Sequence, residues 1–200
     1  IVNKYKNFHF SCVSLGGSAM NWIDFWNSDH SLYVCDKHRQ RHHERISADI
    51  IQRLQDRPGV VIDYGCGEAL SAPQIAQQCN RLILSDGAPN VLQRVQERYQ
   101  EASNIAVMSP EDVLALEAES IDCIIINSVL QYLPADDTEV LLGSLSKLLV
   151  PHGRIILGGI MPPSSYDTLR HGSLIVFCMA GAILNPCHDR LSSDFFIRLS

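Results

Sequence analysis

The chain has 200 residues, of which 46% are hydrophobic and 19% charged, and its formal net charge at pH 7 is −6. This composition is typical of one globular domain with a substantial core and excludes a largely disordered chain. The acidic balance argues against a nucleic-acid partner, because such proteins usually present a strongly basic face. The longest apolar run, residues 174–184, is far shorter than the roughly 20 residues of a membrane-spanning helix, so no membrane partner is expected.

The seven cysteines are odd in number and no two have Cys-x-x-Cys spacing. This pattern favours free thiols in a reducing compartment over a disulfide framework, so we expect a cytoplasmic protein. Residues 1–19 contain no apolar run of the length that a signal peptide needs, and we expect them to form a weakly ordered extension.

Five short apolar runs predict buried strands. Because they are apolar on both faces, they indicate a sheet covered on both sides. In chain order they are residues 60–62, 82–84, 104–108, 123–126 and 155–157.

Helical patterns occupy the gaps between these runs: a stripe over residues 46–54, then residues 72–79, 89–99 and 141–149. Strands that alternate with helices predict an α/β fold, a three-layer sandwich whose mostly parallel, Rossmann-like sheet is flanked by helices. We expect a single domain over residues 20–200. It divides into a helical cap (20–58), a ligand-binding core (60–160) and a C-terminal lid or edge segment (161–200).

A glycine loop, Asp63-Tyr64-Gly65-Cys66-Gly67, follows the first predicted strand and opens a helix. Gly65 permits a sharp turn and Gly67 a close approach of a ligand, because neither has a Cβ. The start of the following helix offers unpaired N–H groups. Asp63 is placed to hold a ligand's ammonium group.

A second acid, Asp86, ends the second predicted strand in Ser85-Asp86-Gly87. It follows Asp63 at a separation close to the ~20 residues at which an acid meets ribose hydroxyls in such folds. Together the two elements favour a nucleoside ligand. A dinucleotide fingerprint is disfavoured, because its third glycine position is Leu70 and the loop lacks basic residues, so a nicotinamide-dependent oxidoreductase is the weakest hypothesis.

From Val60 to Ile160 these elements resemble the class I S-adenosylmethionine-dependent methyltransferases. The glycine loop is similar to the family's first motif, with Ala69 where the third glycine usually stands, and Leu84-Ser85-Asp86 is similar to its ribose-binding strand end. Residues 120–133 look like the fourth strand and the helix start beyond it. Residues 148–156 look like the turn into strand five, with His152 in place of a glycine.

The resemblance implies that S-adenosyl-L-methionine is the cofactor. It implies that Asp63, Gly65, Cys66 and Gly67 hold its methionine half and that Asp86 and Gly87 hold the ribose. The segment Ser109-Pro110-Glu111-Asp112 would offer Ser109 and Glu111 to the adenine, although it also reads as a helix N-cap. Asn127 would line the site.

The family usually closes its sheet with an antiparallel hairpin after strand five, which we expect to be reduced or missing here. Leu174–Leu184 predicts a buried helix or a lid, and Phe195–Ile197 predicts a strand.

Methyl transfer from a sulfonium needs mainly alignment, so the sequence does not identify a catalytic residue. Tyr132, Gln131 and His38 are the candidates for contact with the acceptor. The run Asn127-Ser128-Val129-Leu130 lacks the Pro-Pro pair of nucleic-acid and amide N-methyltransferases, which leaves a small-molecule acceptor. A non-catalytic S-adenosylmethionine-binding or assembly module is the alternative. No metal site is expected, because the histidines of residues 30–43 alternate with arginines.

Overall fold

The computed structural model describes residues 22–27, 35–54, 57–159, 174–178 and 195–198. Six helices are described: α1 (Trp22–Asn27), α2 (Asp36–Ile51), α3 (Ala72–Ala76), α4 (Pro89–Tyr99), α5 (Pro110–Leu114) and α6 (Ala135–Ser146). The strands are β1 (Val60–Tyr64), β2 (Arg81–Ser85), β3 (Ile105–Met108), β4 (Ile121–Asn127), β5 (Leu149–Gly158), β6 (Leu174–Cys178) and β7 (Phe195–Arg198). The expected extension, residues 1–19, lies outside the described residues.

The seven strands form one sheet in the order β3-β2-β1-β4-β5-β6-β7. Strands β1 to β6 are parallel to their neighbours, and β7 is antiparallel to β6. The predicted mostly parallel sheet is therefore confirmed. Because β1 lies between β2 and β4 and is parallel to both, the carboxyl ends of these three strands meet at one edge, where the order of the strands reverses.

Two apolar layers cover the sheet, as the strands with two buried faces predicted. One face packs Val61, Leu82 and Ile125 against α2, α3 and α4. The other packs Ile62 and Ile124 with the apolar side chains of α5 and α6. Side chains in the middle of β1, β2 and β4 are almost completely buried, so the sheet is a rigid platform for the loops at its carboxyl edge.

The C-terminal expectations need a correction. Leu174–Cys178 is a strand parallel to β5, not a helix. The predicted strand at Phe195–Ile197 is confirmed and pairs antiparallel with it, so an antiparallel pair is present. A short apolar run without periodicity is compatible with a helix or a strand. Here the run forms a strand because it pairs with β5.

The sequence also placed two further features imprecisely. Helix α6 ends at Ser146, so Leu148 and Leu149 lie beyond it, and Leu149 already belongs to β5. The predicted turn at Pro151-His152-Gly153 lies inside β5, where the pairing with β4 shifts register between Ile121 and Cys123. His152 takes the positive φ of 70° that this irregularity requires.

Candidate functional site

A cleft with a volume of about 1720 Å³ opens at the carboxyl edge of β1, β2 and β4. Its walls contain every residue that the sequence proposed for cofactor binding: Asp63, Gly65, Cys66, Gly67, Asp86, Gly87, Ser109, Glu111 and Asn127. Gln131 and Tyr132 line it as well. His38 is exposed on α2 and does not line the cleft, so the structure does not bring it together with the other candidates.

The glycine loop turns where β1 ends. Gly65 has a φ of 79°, and the N–H groups of Gly65 and Cys66 donate to the Ser85 carbonyl over 2.7 and 3.0 Å. A Cβ on Gly65 would lie 2.2 Å from Cγ2 of Val129, so any side chain is excluded by both conformation and space. Gly67 has a φ of 53°, but a Cβ there would meet nothing within 4 Å. The loop therefore packs tightly at Gly65 and leaves Gly67 open to the cleft.

Ala69 occupies the position where the family usually has its third glycine. Its φ is 48°, a conformation that costs a residue with a Cβ roughly 1–2 kcal/mol. The residue is buried, and the Tyr99 hydroxyl donates to its carbonyl over 2.6 Å. The loop therefore keeps the glycine geometry with an alanine held in place from α4.

Asp63, the last acid of β1, is buried to 9% exposure at the floor of the cleft. In the described part of the chain, no cation or hydrogen-bond donor lies against its carboxylate. Burial, followed by the negative charge of Asp86, raises the pKa of Asp63 to about 7. A buried carboxylate without a counter-charge is costly, so this position is suited to a cationic group from a ligand.

Asp86 ties the glycine loop to the end of β2. One carboxylate oxygen accepts the Gly67 N–H and the other accepts the Ala88 N–H, each over 2.9 Å. Burial raises the pKa of Asp86, and these two hydrogen bonds and the charge of Arg94 counteract the rise. The sequence predicted a ligand-facing role for Asp86. The structure adds a second role, because the same carboxylate fixes the position of Gly67.

The segment after β3 is a helix N-cap, as the sequence suggested. Ser109 Oγ accepts the Asp112 N–H over 3.1 Å and donates to Asp112 Oδ2 over 2.8 Å, and Pro110 opens α5. The cap occupies the Asp112 side chain and leaves Glu111 exposed at the border of the cleft. The capping and ligand-facing interpretations of this segment are therefore compatible.

Asn127 ends β4 beside the glycine loop. Its Oδ1 is buried and has no hydrogen-bond donor among the described residues. The chain then turns through Ser128, whose φ is 58° and whose N–H donates to the Gly158 carbonyl over 2.8 Å. This turn leads into a single 3-10 turn, Leu130–Tyr132, which carries two of the acceptor candidates.

Helix α1 borders the cleft beside the Leu130–Tyr132 turn. Trp26 and Tyr132 form an edge-to-face pair with ring centroids 6.4 Å apart, and both rings line the cleft. Two hydrogen bonds hold α1 to the start of α4: the Asn90 N–H donates to Asn27 Oδ1, and Asn90 Nδ2 donates to the Asn27 carbonyl. The N-terminal segment, expected to form a helical cap, thus contributes Trp26 to the cleft.

The sequence missed a link between α2 and the glycine loop. Glu68, directly after Gly67, accepts from Arg39 Nη1 over 3.5 Å and lies 3.9 Å from His43 Nε2. Arg98 Nη1 donates to the Glu68 carbonyl. Burial, with smaller contributions from neighbouring charges, lowers the pKa of His43. Arg39, His43 and Ser47 share one face of α2, and this spacing was the available signal.

Two further findings concern the described residues only. No three potential ligands there are grouped closely enough to hold a metal ion. No helix in this part of the chain is long and apolar enough to cross a membrane.

Comparison with known proteins identifies the class. Residues 62–157 match the family model of a methyltransferase domain. Nodulation protein S of Rhizobium tropici is 23% identical over 121 residues, which cover 60% of this chain and 50% of that protein. An uncharacterized methyltransferase of Mycobacterium tuberculosis is 27% identical over 118 residues, or 59% of each chain. The chain thus spans less than two thirds of the curated relatives it matches.

Solved structures agree with this fold. The N-methyltransferase NodS of Bradyrhizobium japonicum, in complex with S-adenosylhomocysteine, superposes with a TM-score of 0.54 at 22% identity over 68% of this chain and 70% of that one. Phosphoethanolamine N-methyltransferase 1 of Haemonchus contortus gives 0.59 at 16% identity over 89% of this chain and 36% of that one. The resemblance of the motifs to the class I methyltransferases is therefore confirmed by the match of residues 62–157 to a methyltransferase domain, and the solved structures show the same fold.

Proposed function

We propose that the protein transfers a methyl group from S-adenosylmethionine to a small-molecule acceptor, as an enzyme of EC class 2.1.1. The observation that carries this proposal is Asp63, a buried carboxylate that no cation among the described residues neutralises, beside the open backbone of Gly67. S-adenosylmethionine brings an ammonium and a sulfonium into this acidic cleft. Its charge thereby offsets the cost of burying Asp63.

The same charges argue against a dinucleotide. A pyrophosphate over Gly67 would meet the carboxylates of Asp63 and Asp86, and the N–H groups of Gly65, Cys66 and Gly67 already donate to Ser85 and Asp86. Anion binding at such a loop depends on free N–H groups and a positive field. The cleft therefore suits a cationic nucleoside better than an anionic one.

We assign the residues of the cleft to the parts of the cofactor that they would contact. Asp63 holds the ammonium of the methionine half, and Gly65, Cys66 and Gly67 form the backbone surface beneath that half. Asp86 accepts from ribose hydroxyls with the lone pairs that its two backbone hydrogen bonds leave, and Gly87 leaves room beside them. Ser109 and Glu111 border the adenine.

The bound cofactor supplies an activated methyl group, so this chain's residues have to align and shield it. The buried strands fix Asp63, Asp86 and Asn127 relative to one another, which supplies the alignment that an in-line displacement needs. Trp26 and Tyr132 exclude water from the side of the acceptor. Tyr132 and Gln131 are the proposed contacts with the acceptor. His38 lies outside the cleft and has no role in this proposal.

A non-catalytic module that binds the cofactor or assembles with a partner is the second candidate. The departure that favours it is Ala69, which stands where the family usually has a glycine and has a φ of 48°. A complex of the Haloferax volcanii Trm112 activator with a putative methyltransferase also contains a similar fold, with a TM-score of 0.53 at 21% identity over 69% of this chain and 60% of that one. Cofactor binding without S-adenosylhomocysteine formation across broad acceptor pools would favour this candidate.

We further propose a reducing compartment, the cytoplasm. Cys66, Cys79 and Cys123 lie in the loop and the core as free thiols, and burial raises the pKa of each. Such thiols pack as small apolar groups and need no disulfide partner.

Calorimetric titration with S-adenosylmethionine tests the proposed function. We expect saturable heat with the wild-type chain and at least a 30-fold weaker affinity for Asp86→Ala, which loses both the ribose acceptor and the anchor of Gly67. Val140→Ala, an exposed substitution on α6, is the control that should leave the affinity unchanged. Absence of binding at millimolar cofactor to the folded wild-type chain would overturn the proposal.

A further inference from the structure

The Asn127 side chain has a buried hydrogen-bond acceptor that a donor group on a ligand would satisfy. Its Oδ1 is buried at the wall of the cleft, and no described residue donates to it. Leaving a buried acceptor unsatisfied costs about 1–3 kcal/mol, so native proteins rarely do so without a reason. An amide oxygen accepts and cannot donate, which means that the matching ligand atom carries an N–H or O–H.

The charge around Asn127 restricts that ligand. Asp63 lies on β1, the strand directly beside β4, and the carboxylate of Asp86 lies across the glycine loop. Burial and the charge of Asp86 raise the pKa of Asp63, and in the proposed complex the cofactor's ammonium neutralises only one of these two carboxylates, so a further anion is unfavourable here. A phenol or an acid becomes nucleophilic by losing a proton to give an anion. An amine attacks as the neutral base.

The aromatic wall favours the same class. Trp26 and Tyr132 meet edge to face, and both rings line the cleft. Ring faces attract alkylammonium groups by about 0.5–2 kcal/mol, and they do not attract carboxylates or phenolates in this way. This contact would stabilise both the bound amine and its methylated, cationic product.

We propose that the acceptor is a small basic amine that is methylated on nitrogen, with an amine N–H donated to Asn127 Oδ1 and the carbon next to the nitrogen against Trp26 and Tyr132. The inference rests on the proposed function. The nitrogen lone pair forms the new C–N bond, the C–S bond breaks, and its electron pair stays on sulfur as a neutral thioether. The amine loses its own proton to water before it attacks, and the product leaves the cleft as an alkylammonium that keeps its charge.

Matched acceptors test the class on the full 200-residue chain. S-adenosylhomocysteine formation is measured with benzylamine, cyclohexylamine and ethanolamine, and in parallel with phenol, p-cresol and benzoate. Benzyltrimethylammonium, which has no lone pair, serves as a dead-end mimic of the product. We expect turnover of at least one amine, at least 20-fold slower turnover of every oxygen acceptor, and competitive inhibition by the quaternary ammonium.

Two variants test the residues. Asn127→Ala should lower kcat/KM for the best amine at least 30-fold and change the calorimetric Kd for S-adenosylmethionine less than threefold. Trp26→Leu should raise the KM for the amine and the inhibition constant of benzyltrimethylammonium about tenfold, with kcat largely retained. Val140→Ala is the control for both.

Several results would overturn the inference without touching the proposed function. These are cofactor binding with methylation of the phenols or benzoate instead of amines, and cofactor binding with no effect of benzyltrimethylammonium. A third is an Asn127→Ala variant that loses cofactor affinity as strongly as amine turnover, which would make Asn127 a cofactor contact. Loss of cofactor binding by the wild-type chain would instead overturn the proposed function itself.

Discussion

The two walls of the cleft are built in different ways. The wall at the glycine loop is fixed mainly through its backbone: the N–H groups of Gly65 and Cys66 donate to the Ser85 carbonyl, that of Gly67 donates to the Asp86 carboxylate, and Val129 packs where Gly65 has no Cβ. The wall formed by α1 and Tyr132 is held by side chains on short elements. These are the Trp26–Tyr132 pair and the contacts of Asn27 with Asn90. Backbone geometry tolerates few substitutions, whereas side-chain contacts can be exchanged, so we expect the first wall to define the cofactor and the second the acceptor.

Gly65→Ala should have the largest effect, because it changes the backbone-fixed wall. The new Cβ meets Val129 Cγ2 at 2.2 Å, and φ lies at 79°. Strain and overpacking together should cost roughly 3 kcal/mol of unfolding free energy and prevent cofactor binding. Urea unfolding and calorimetry measure the two effects. The double variant Gly65→Ala/Val129→Ala should recover part of the stability, and no recovery would mean that Val129 is not the obstacle.

Asp63→Asn should stabilise the cofactor-free protein. The folded-state pKa of Asp63 is raised to about 7 from an ordinary 3.8, so the folded state holds the proton more tightly than the unfolded state. This contribution is fully present at low pH and is lost as the pH rises from about 4 through 7. The variant should therefore gain a few kcal/mol at pH 8, since each unit of pKa shift corresponds to about 1.4 kcal/mol. Its advantage should shrink below pH 7 and vanish near pH 4.

Thermal unfolding of the variant and the wild type across pH 4–8 measures this difference. Asp122→Asn is a second acid on the same sheet, but its carboxylate accepts the Val60 N–H over 2.7 Å. We expect that substitution to destabilise the protein instead. An Asp63→Asn variant that is less stable than the wild type at pH 8 would contradict the assignment of Asp63 as an uncompensated charge.

Tyr132→Leu probes the side-chain wall and should have a smaller effect. The aromatic pair with Trp26 contributes about 0.5–1.5 kcal/mol beyond its buried area, so the unfolding free energy should fall by roughly 1 kcal/mol. The cofactor Kd should change less than threefold, because the backbone-fixed wall is intact. A loss of cofactor affinity as large as that of Asp86→Ala would abolish the distinction between the two walls.

Ala69→Gly should have the smallest effect. Relief of the strain at φ 48° favours the glycine, while the greater freedom of the unfolded chain offsets it, so the net change should stay within about 1 kcal/mol. Ala76→Gly, an equally buried alanine at the end of α3, has no such strain to relieve and should cost about 1 kcal/mol. Equal losses in the two variants, measured by urea unfolding, would show that the Ala69 conformation carries no strain.

The sequence predicted the backbone-fixed wall better than the side-chain wall. Buried parallel strands are continuous apolar runs with glycines and acids at their ends, so β1, β2 and the positions of Asp63 and Asp86 could be predicted. The contact of Arg39 with Glu68 spans 29 residues and depends on how α2 lies on the loop, which no local pattern encodes. The helix predicted for Leu174–Leu184 is wrong at Leu174–Cys178, because only pairing with β5 distinguishes a strand from a helix in a short apolar run, and residues 179–184 lie outside the described residues.

The affinity of Asp63→Asn for S-adenosylmethionine, measured by calorimetry at pH 8, tests the central claim most directly. If Asp63 meets the cofactor's ammonium, the neutral side chain should lose at least 100-fold in affinity even though the variant is more stable than the wild type. A stability gain together with a fall in affinity can arise only if the buried charge serves the ligand. An unchanged affinity in the stabilised variant would contradict the account.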